Sequence, residues 1–310
     1  MKIITDSIDF SRTITPTVLE WTKTDKQNIG NLPSELINAV YTDNIDLLYG
    51  ETNGLFDRLL LVESAGRSHY DILIELARAN VALPDMTLCL AGEGAGFHGF
   101  KGRSWVSPPG NIYLCVHFAP NRPIENFGVG FMILAAVAVV QAIDRVDDLR
   151  GRAGIKWVND ILIDNAKICG VLAHCLTEGD TVTNAILGIG LNVGTTPTVK
   201  PNLFVPRTAS LHDFVSASAD TSQAIVLQNL IGAIAGGYHI LLEDGYRSLL
   251  RFYRERSLIL GRDVAVYSDR TGDNDTLLVE GIVEAIGDNL ELYFKHRPTS
   301  VNSGRLLLKS

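Results

Sequence analysis

Lys156-Trp157-Val158-Asn159-Asp160 stands between two short apolar runs, 155–157 and 161–164, that read as strands. A cation at a strand end, beside a bulky indole, followed by a turn of short polar residues, is a pattern that can meet an anion. Further apolar runs follow at 167–176 and 183–191, joined by short turns, so this part of the chain forms neighbouring antiparallel strands. Upstream, strands are expected at 59–63, 86–91 and 112–118. A helix is expected at 69–79, with Ile72, Leu73, Leu76 and Ala77 on one face, and a buried helix at 127–144. The spacing predicts an α+β fold, a mixed and largely antiparallel sheet with helices covering one face.

Downstream the character changes. Helical periodicity at 222–243 and 246–256 gives way to short strands at 262–267, 277–286, 290–294 and 305–308, separated by Gly and Asp turns, which is the pattern of a small β-barrel. Three parts are expected: an extension of unreadable role over 1–57, a main domain over 58–257, and the barrel over 258–310.

With 310 residues and 46% apolar content the chain can bury one full core plus a smaller module. Its formal charge of -8, from 35 acidic against 27 basic residues, argues against whole-surface attraction to nucleic acid. The first 57 residues contain no helical pair with a basic second helix, as a DNA-reading helix-turn-helix would require. Cys89, Cys115, Cys169 and Cys175 lie in apolar runs without CxxC spacing, which fits reduced thiols and a cytoplasmic protein. Residues 1–11 carry no signal-peptide pattern. The apolar stretch 127–143 falls short of the roughly 20 residues that span a bilayer, so no membrane association is expected.

The glycine-rich loop 92–102 contains Gly94-Ala95-Gly96-Phe97-His98-Gly99, a GxGxxG match after a strand. The Gly and Pro residues through Ser107-Pro108-Pro109-Gly110 forbid the helix that a dinucleotide turn needs behind it. No Gly-Lys-Ser/Thr phosphate loop exists either. Lys101 and Arg103 among many exposed backbone N–H groups could still wrap an anion. The histidines have no i, i+4 partners, so no protein metal site is expected.

Three stretches resemble the biotin protein ligase family, of the biotin and lipoate ligase superfamily. Gly102-Arg103-Ser104-Trp105-Val106-Ser107-Pro108 is similar to the end of that family's substrate loop, and Lys156-Trp157-Val158-Asn159-Asp160-Ile161 to its Lys-Trp-Pro-Asn-Asp signature. Lys167-Ile168-Cys169-Gly170-Val171-Leu172 and Gly188-Ile189-Gly190-Leu191-Asn192-Val193 are similar to its two closing strands. Order and spacing agree from about residue 59 to residue 308.

The resemblance implies a class II aminoacyl-tRNA synthetase-like ligase core with an SH3-like C-terminal barrel. It further implies ATP-dependent activation of biotin to biotinyl-5'-AMP and transfer to a lysine of a biotin carboxyl carrier protein or domain, without a DNA-binding repressor function. ATP with Mg2+ would be required, and a homodimer is compatible with the family. Lys156 and Arg103 would be catalytic. Ser68, His69, Gly94, His98, Gly99, Phe100, Gly170 and Leu172 would contact biotin, and Lys101, Trp105, Asn159, Asp160 and Asn192 would contact ATP. No enzyme nucleophile is needed, because the acceptor lysine attacks the mixed anhydride; Cys169 reads as a core residue.

The chain departs from the family where the loop usually reads Gly-Arg-Gly-Arg-x-Gly. His98 and Phe100 replace its two arginines, Gly94 replaces a Gln, and Arg67-Ser68-His69 stands for Ser-Thr-Asn. Two other readings therefore stay open: a ligase for another small acid such as lipoate or octanoate, and a non-catalytic small-molecule-binding homologue.

Overall fold

The computed structural model describes residues 1–310 apart from residues 19, 27, 28, 30, 31, 42–44, 217, 218, 269–275 and 310. The first elements are β1 (Lys2–Thr5), α1 (Ile8–Ile14), β2 (Thr22–Thr24), α2 (Ser34–Val40) and β3 (Leu47–Glu51). Next come β4 (Arg58–Ala65), α3 (His69–Arg78), β5 (Thr87–Gly94), β6 (Ile112–Phe118), β7 (Arg122–Pro123) and α4 (Phe127–Ile143). Strands β8 (Gly154–Lys156), β9 (Asp160–Ile163), β10 (Ala166–Glu178) and β11 (Thr181–Leu191) lead to α5 (Gln223–Glu243) and α6 (Tyr246–Glu255). The chain closes with β12 (Asp263–Tyr267), β13 (Leu277–Ile286), β14 (Leu292–Phe294) and β15 (Arg305–Leu308).

Among the described residues one sheet holds eleven strands in the order β2-β3-β1-β4-β5-β6-β11-β10-β9-β8, with β7 beside β11. The pairs β1–β4 and β4–β5 are parallel and the others antiparallel, so the sheet is mixed, as expected. Within residues 1–57, strands β1, β2 and β3 belong to it, with β1 inserted between β3 and β4.

The expectation that helices cover one face needs correction. On one side α4, α5 and α6 pack with Leu59, Leu61, Leu88 and Leu90; on the other, α2 and α3 pack with Leu60, Val62, Cys89 and Ala91. The physical reason is visible in the run Leu59-Leu60-Leu61-Val62: a strand apolar at every position must be covered on both faces. Helix α5 is long and apolar enough to cross a membrane. Here Leu227, Leu230, Ile234 and Leu241 on it are buried, and it packs along α4.

Strands β12 to β15 form a separate four-stranded antiparallel sheet in the order β14-β13-β12-β15. It is tied to the main domain by the Trp157 indole, whose Nε1 donates to the Leu290 carbonyl at 2.7 Å, and by Arg254, whose Nη2 reaches Asp288 at 2.9 Å.

Candidate active site

The long β10–β11 hairpin sets Gly170 opposite Gly190 and Leu172 opposite Gly188. These glycines leave a strip of bare backbone, and aromatic rings lie directly on it. A Cβ at Gly190 would come within 2.6 Å of the Trp105 ring and one at Gly170 within 3.0 Å, while one at Gly188 would meet Tyr70 at 3.0 Å. Only glycine fits under rings that close. Over this strip opens a cavity of about 370 Å³. Its walls come from the start of α3, the loop 97–106, the turn between β8 and β9, the segment 197–208, and residues 302–306 of the C-terminal sheet.

Lys156 ends β8 and is only 6% exposed. Its Nζ donates to the Phe204 carbonyl at 2.6 Å. Burial pushes the ammonium down to about 8; Asp160 opposes this, while Lys167, Arg305 and Arg103 add to it. Four cations thus share the cavity wall with one carboxylate, an arrangement that lacks negative charge and can receive it from a ligand. Asp160 pairs with Lys167 at 2.6 Å, and the Lys167 ammonium also stands 5.3 Å from the centre of the Trp105 ring. Asn159 Nδ2 donates to the Val171 carbonyl at 2.8 Å and locks the turn against β10, and the Trp157–Val158 peptide bond within it is cis.

Asn192 follows β11. Its Nδ2 donates to the Ala209 carbonyl at 2.9 Å, whereas its Oδ1 is buried without a partner among the described residues. Trp105 Nε1 and both ring nitrogens of His69 are likewise buried and unpartnered there. Burial holds the His69 imidazole neutral, pulling it down to about 4. Ser68 is the N-cap of α3, but its hydroxyl oxygen accepts from no backbone N–H of the helix. Unsatisfied buried polar groups beside a cavity are ready partners for a polar ligand, since each costs about 1–3 kcal/mol while unpaired.

Of the residues expected from the sequence, thirteen line the cavity: Ser68, His69, His98, Gly99, Phe100, Arg103, Trp105, Lys156, Asn159, Asp160, Gly170, Leu172 and Asn192. Gly94 and Lys101 do not. The Phe97 ring lies over Gly94, at 2.5 Å from where its Cβ would be, and Lys101 places its ammonium 5.7 Å from the Phe100 ring centre at the loop tip. The sequence reading missed Lys167, Arg305, Phe204 and Tyr70, which also line it. Lys167 and Arg305 lay inside recognised stretches, but a charge in a strand does not announce which face it takes. Cys169 is fully buried in β10, and burial pushes its thiol up, as suits a core residue.

Residues 80–192 match the model of the biotin/lipoate A/B protein ligase family. The bifunctional ligase/repressor BirA of Bacillus subtilis (strain 168) is 30% identical over 191 residues, 61% of this chain and 57% of that protein. This chain thus spans little more than half of that relative. The biotin--[acetyl-CoA-carboxylase] ligase of Paracoccus denitrificans is 28% identical, over 64% of this chain and 80% of its own length. The biotin protein ligase from Aquifex aeolicus, solved in complex with biotin and ATP, shares the fold with a TM-score of 0.62 at 19% identity, covering 82% of this chain and 99% of that one. The stretch that carries Trp105, the glycine strip and the Lys156 turn, residues 80–192, is thus similar to the biotin/lipoate A/B protein ligase family.

Proposed function

We propose that the protein activates biotin with ATP, releasing pyrophosphate and forming biotinyl-5'-AMP, and then passes the biotinyl group to the amine of a carrier-protein lysine, releasing AMP. The observation that carries this reading is the burial of Lys156 among Lys167, Arg103 and Arg305 beside the bare glycine strip. The carboxylate oxygen must attack an α-phosphorus that is itself anionic, so the site has to offset repulsion between the two and the charge that grows as the bond forms. Fixed cations in a half-dry cavity do this without reorganising. Two anions entering the site would also restore the proton that burial makes Lys156 ready to lose.

The unpaired atoms of His69, Asn192 and Trp105 supply polar contacts at the cavity wall, and the glycine strip admits a flat ring close to backbone. Mg2+ would enter with the triphosphate. Asp160 is the carboxylate among the described lining residues, and no cluster of three potential ligands is present among them, which suits a cation held mainly by phosphate oxygens and water. The curated relatives and the complex from Aquifex aeolicus support biotin and ATP as substrates.

Residues 58–257 would form the catalytic unit, with the class II synthetase-like core, and 258–310 a small SH3-like barrel. The four free cysteines support a cytoplasmic setting, and the incorporation of β1 to β3 into the main sheet supports a structural role for that part of residues 1–57 in place of a DNA-reading one. A second reading, activation of lipoate or octanoate or binding without adenylation, is favoured by the loop. Phe100 is uncharged and 44% exposed, and His98 is engaged by Asp71. Pyrophosphate exchange with ATP, measured for biotin, lipoate and octanoate with Lys156→Ala as control, separates these readings. Biotin-dependent exchange lost in the control is expected; exchange with lipoate alone, or binding of biotin without exchange, overturns the first reading.

A further inference from the structure

The loop 97–105 is a small hairpin. Gly99 N donates to the Arg103 carbonyl at 2.7 Å and Trp105 N to the Phe97 carbonyl at 2.8 Å, with His98 opposite Ser104. One end of this hairpin carries the indole that lies on Gly170 and Gly190. Its polar attachment to the neighbouring helix is His98. The Nε2 of that ring lies 2.9 Å and 3.0 Å from the two carboxylate oxygens of Asp71, in the first turn of α3, and its Nδ1 lies 3.1 Å from the Gly99 carbonyl.

Both partners are acceptors. A carboxylate and a carbonyl have no hydrogen to give, so both contacts are hydrogen bonds only when each ring nitrogen carries a proton, that is, in the imidazolium. Neutral histidine must turn a lone pair toward one of these oxygens and lose that bond.

We propose that His98 is a positioning residue: as an imidazolium it latches the loop 97–105 onto α3 through Asp71, and so holds Trp105 over the floor of the cavity. Its surroundings bear this out from each side. From α3, Asp71 is the charged group that faces it. Tyr70 of the same helix meets the imidazole ring edge-on at 6.3 Å, and its hydroxyl, pushed up by burial, stays protonated. Within the loop, Lys101 sits over Phe100, and Arg103 donates its Nε to the Phe100 carbonyl at 3.0 Å. The hydrogen bond to Asp71 raises His98 above the ordinary histidine value of 6.5, against the opposing effect of burial. The sign follows. A raised group contributes a latch that is complete below pH 6.5 and that weakens, from two charge-assisted bonds to one neutral bond, as the pH climbs through the raised value. Where the family resemblance places an arginine, charged at every pH, this chain has a latch that opens toward alkaline pH.

The latch itself is independent of any substrate; its consequence for an acid ligand rests on the function proposed above. The experiment is amide hydrogen exchange on the full chain at about pH 6 and about pH 9, corrected for the intrinsic rate, on wild type, Asp71→Asn and His98→Arg. Wild type should lose about tenfold protection in the loop between the two pH values. Asp71→Asn should be unprotected at both and His98→Arg protected at both, while peptides from β10 and β11 stay unchanged in all three and report an intact fold. Wild-type protection that does not move with pH, or protection retained in Asp71→Asn, overturns the latch. Calorimetric titration with biotin then reads the consequence: affinity that weakens more steeply with rising pH in wild type than in His98→Arg, whose remaining slope belongs to Lys156, supports it, and equal slopes in the two overturn the link to the cavity. Should no acid bind at all, the proposed function fails, and the latch is still decided by the exchange data.

Discussion

Lys167 reaches Asp160 at 2.6 Å while standing over the Trp105 ring, so one ammonium joins the turn after Lys156 to the indole that covers the glycine strip. Asp160 is also the group that keeps Lys156 from losing its proton at still lower pH. Replacing it with Asn removes that support. The alkaline limb of adenylation activity should therefore move to lower pH in Asp160→Asn, and a pH profile of kcat/KM for pyrophosphate exchange, which reports the free enzyme, reads the shift. An unmoved limb would mean that Lys156 does not govern it.

Lys156 is costly to the empty protein. A fall from 10.5 to about 8 amounts to roughly 3 kcal/mol of disfavoured charge, an upper figure because the Phe204 carbonyl returns part of it. Lys156→Met should abolish exchange yet leave the unliganded chain as stable as wild type, or about 1 kcal/mol more stable, near neutral pH. Between about pH 8 and 10.5 the unfolded lysine holds a proton that the folded one has lost, so wild-type stability should rise relative to the variant over that window. Urea denaturation of both proteins across this range provides the check.

Close contact between Trp105 and Gly190 leaves no room for a methyl group. In Gly190→Ala the indole must move or the strands must part, at a cost of about 1–3 kcal/mol. Biotin affinity should fall at least tenfold, with a shift of Trp emission, while Gly179→Ser in the β10–β11 turn, where nothing lies within 4 Å of the added carbon, should bind normally despite some backbone strain. Equal affinity in Gly190→Ala and wild type would show that the strip does not meet the ligand.

Cys169 tests the absence of a covalent intermediate. Its thiol is fully buried and pushed up by burial, the reverse of an activated nucleophile. Cys169→Ala should retain exchange and transfer within about twofold, with a loss of stability near 1 kcal/mol from the small cavity. Loss of transfer with exchange intact would point instead to an acyl-cysteine route.

Trp157 ties the C-terminal sheet to the main domain through the Leu290 carbonyl. Trp157→Phe keeps an aromatic ring and removes the donor, which should cost about 1–2 kcal/mol and, with Arg305 of that sheet taken as a partner of the triphosphate, weaken ATP binding more than biotin binding. Separate titrations with the two ligands distinguish this from general unfolding.

Much of the fold was legible because the signals were local. The β10–β11 hairpin, α3, α5 and α6 have a readable period and α4 is a continuous apolar run with sharp ends, and their observed limits lie within about two residues of those expected. The first 57 residues were not legible: β1 and β3 are short, and β1 has meaning only as the strand between β3 and β4. The second helical face was hidden in Leu59-Leu60-Leu61-Val62, where continuous apolarity can signal a short buried strand or a piece of helix equally well.

The same division runs through the site. Sequence by itself placed Lys156, the Asn159-Asp160 turn, Trp105 and the glycines at 170, 188 and 190 in stretches that resemble one ligase family, because the order of motifs is written in the chain. Tertiary structure alone decided that Lys167 and Arg305 join Lys156, that Trp105 rests on Gly170 and Gly190, that His98 is held by Asp71, and that Gly94 and Lys101 stand outside the cavity. Those outcomes depend on which strands become neighbours and how closely rings approach bare backbone. Distances between residues far apart in sequence arise only when the chain has closed on itself.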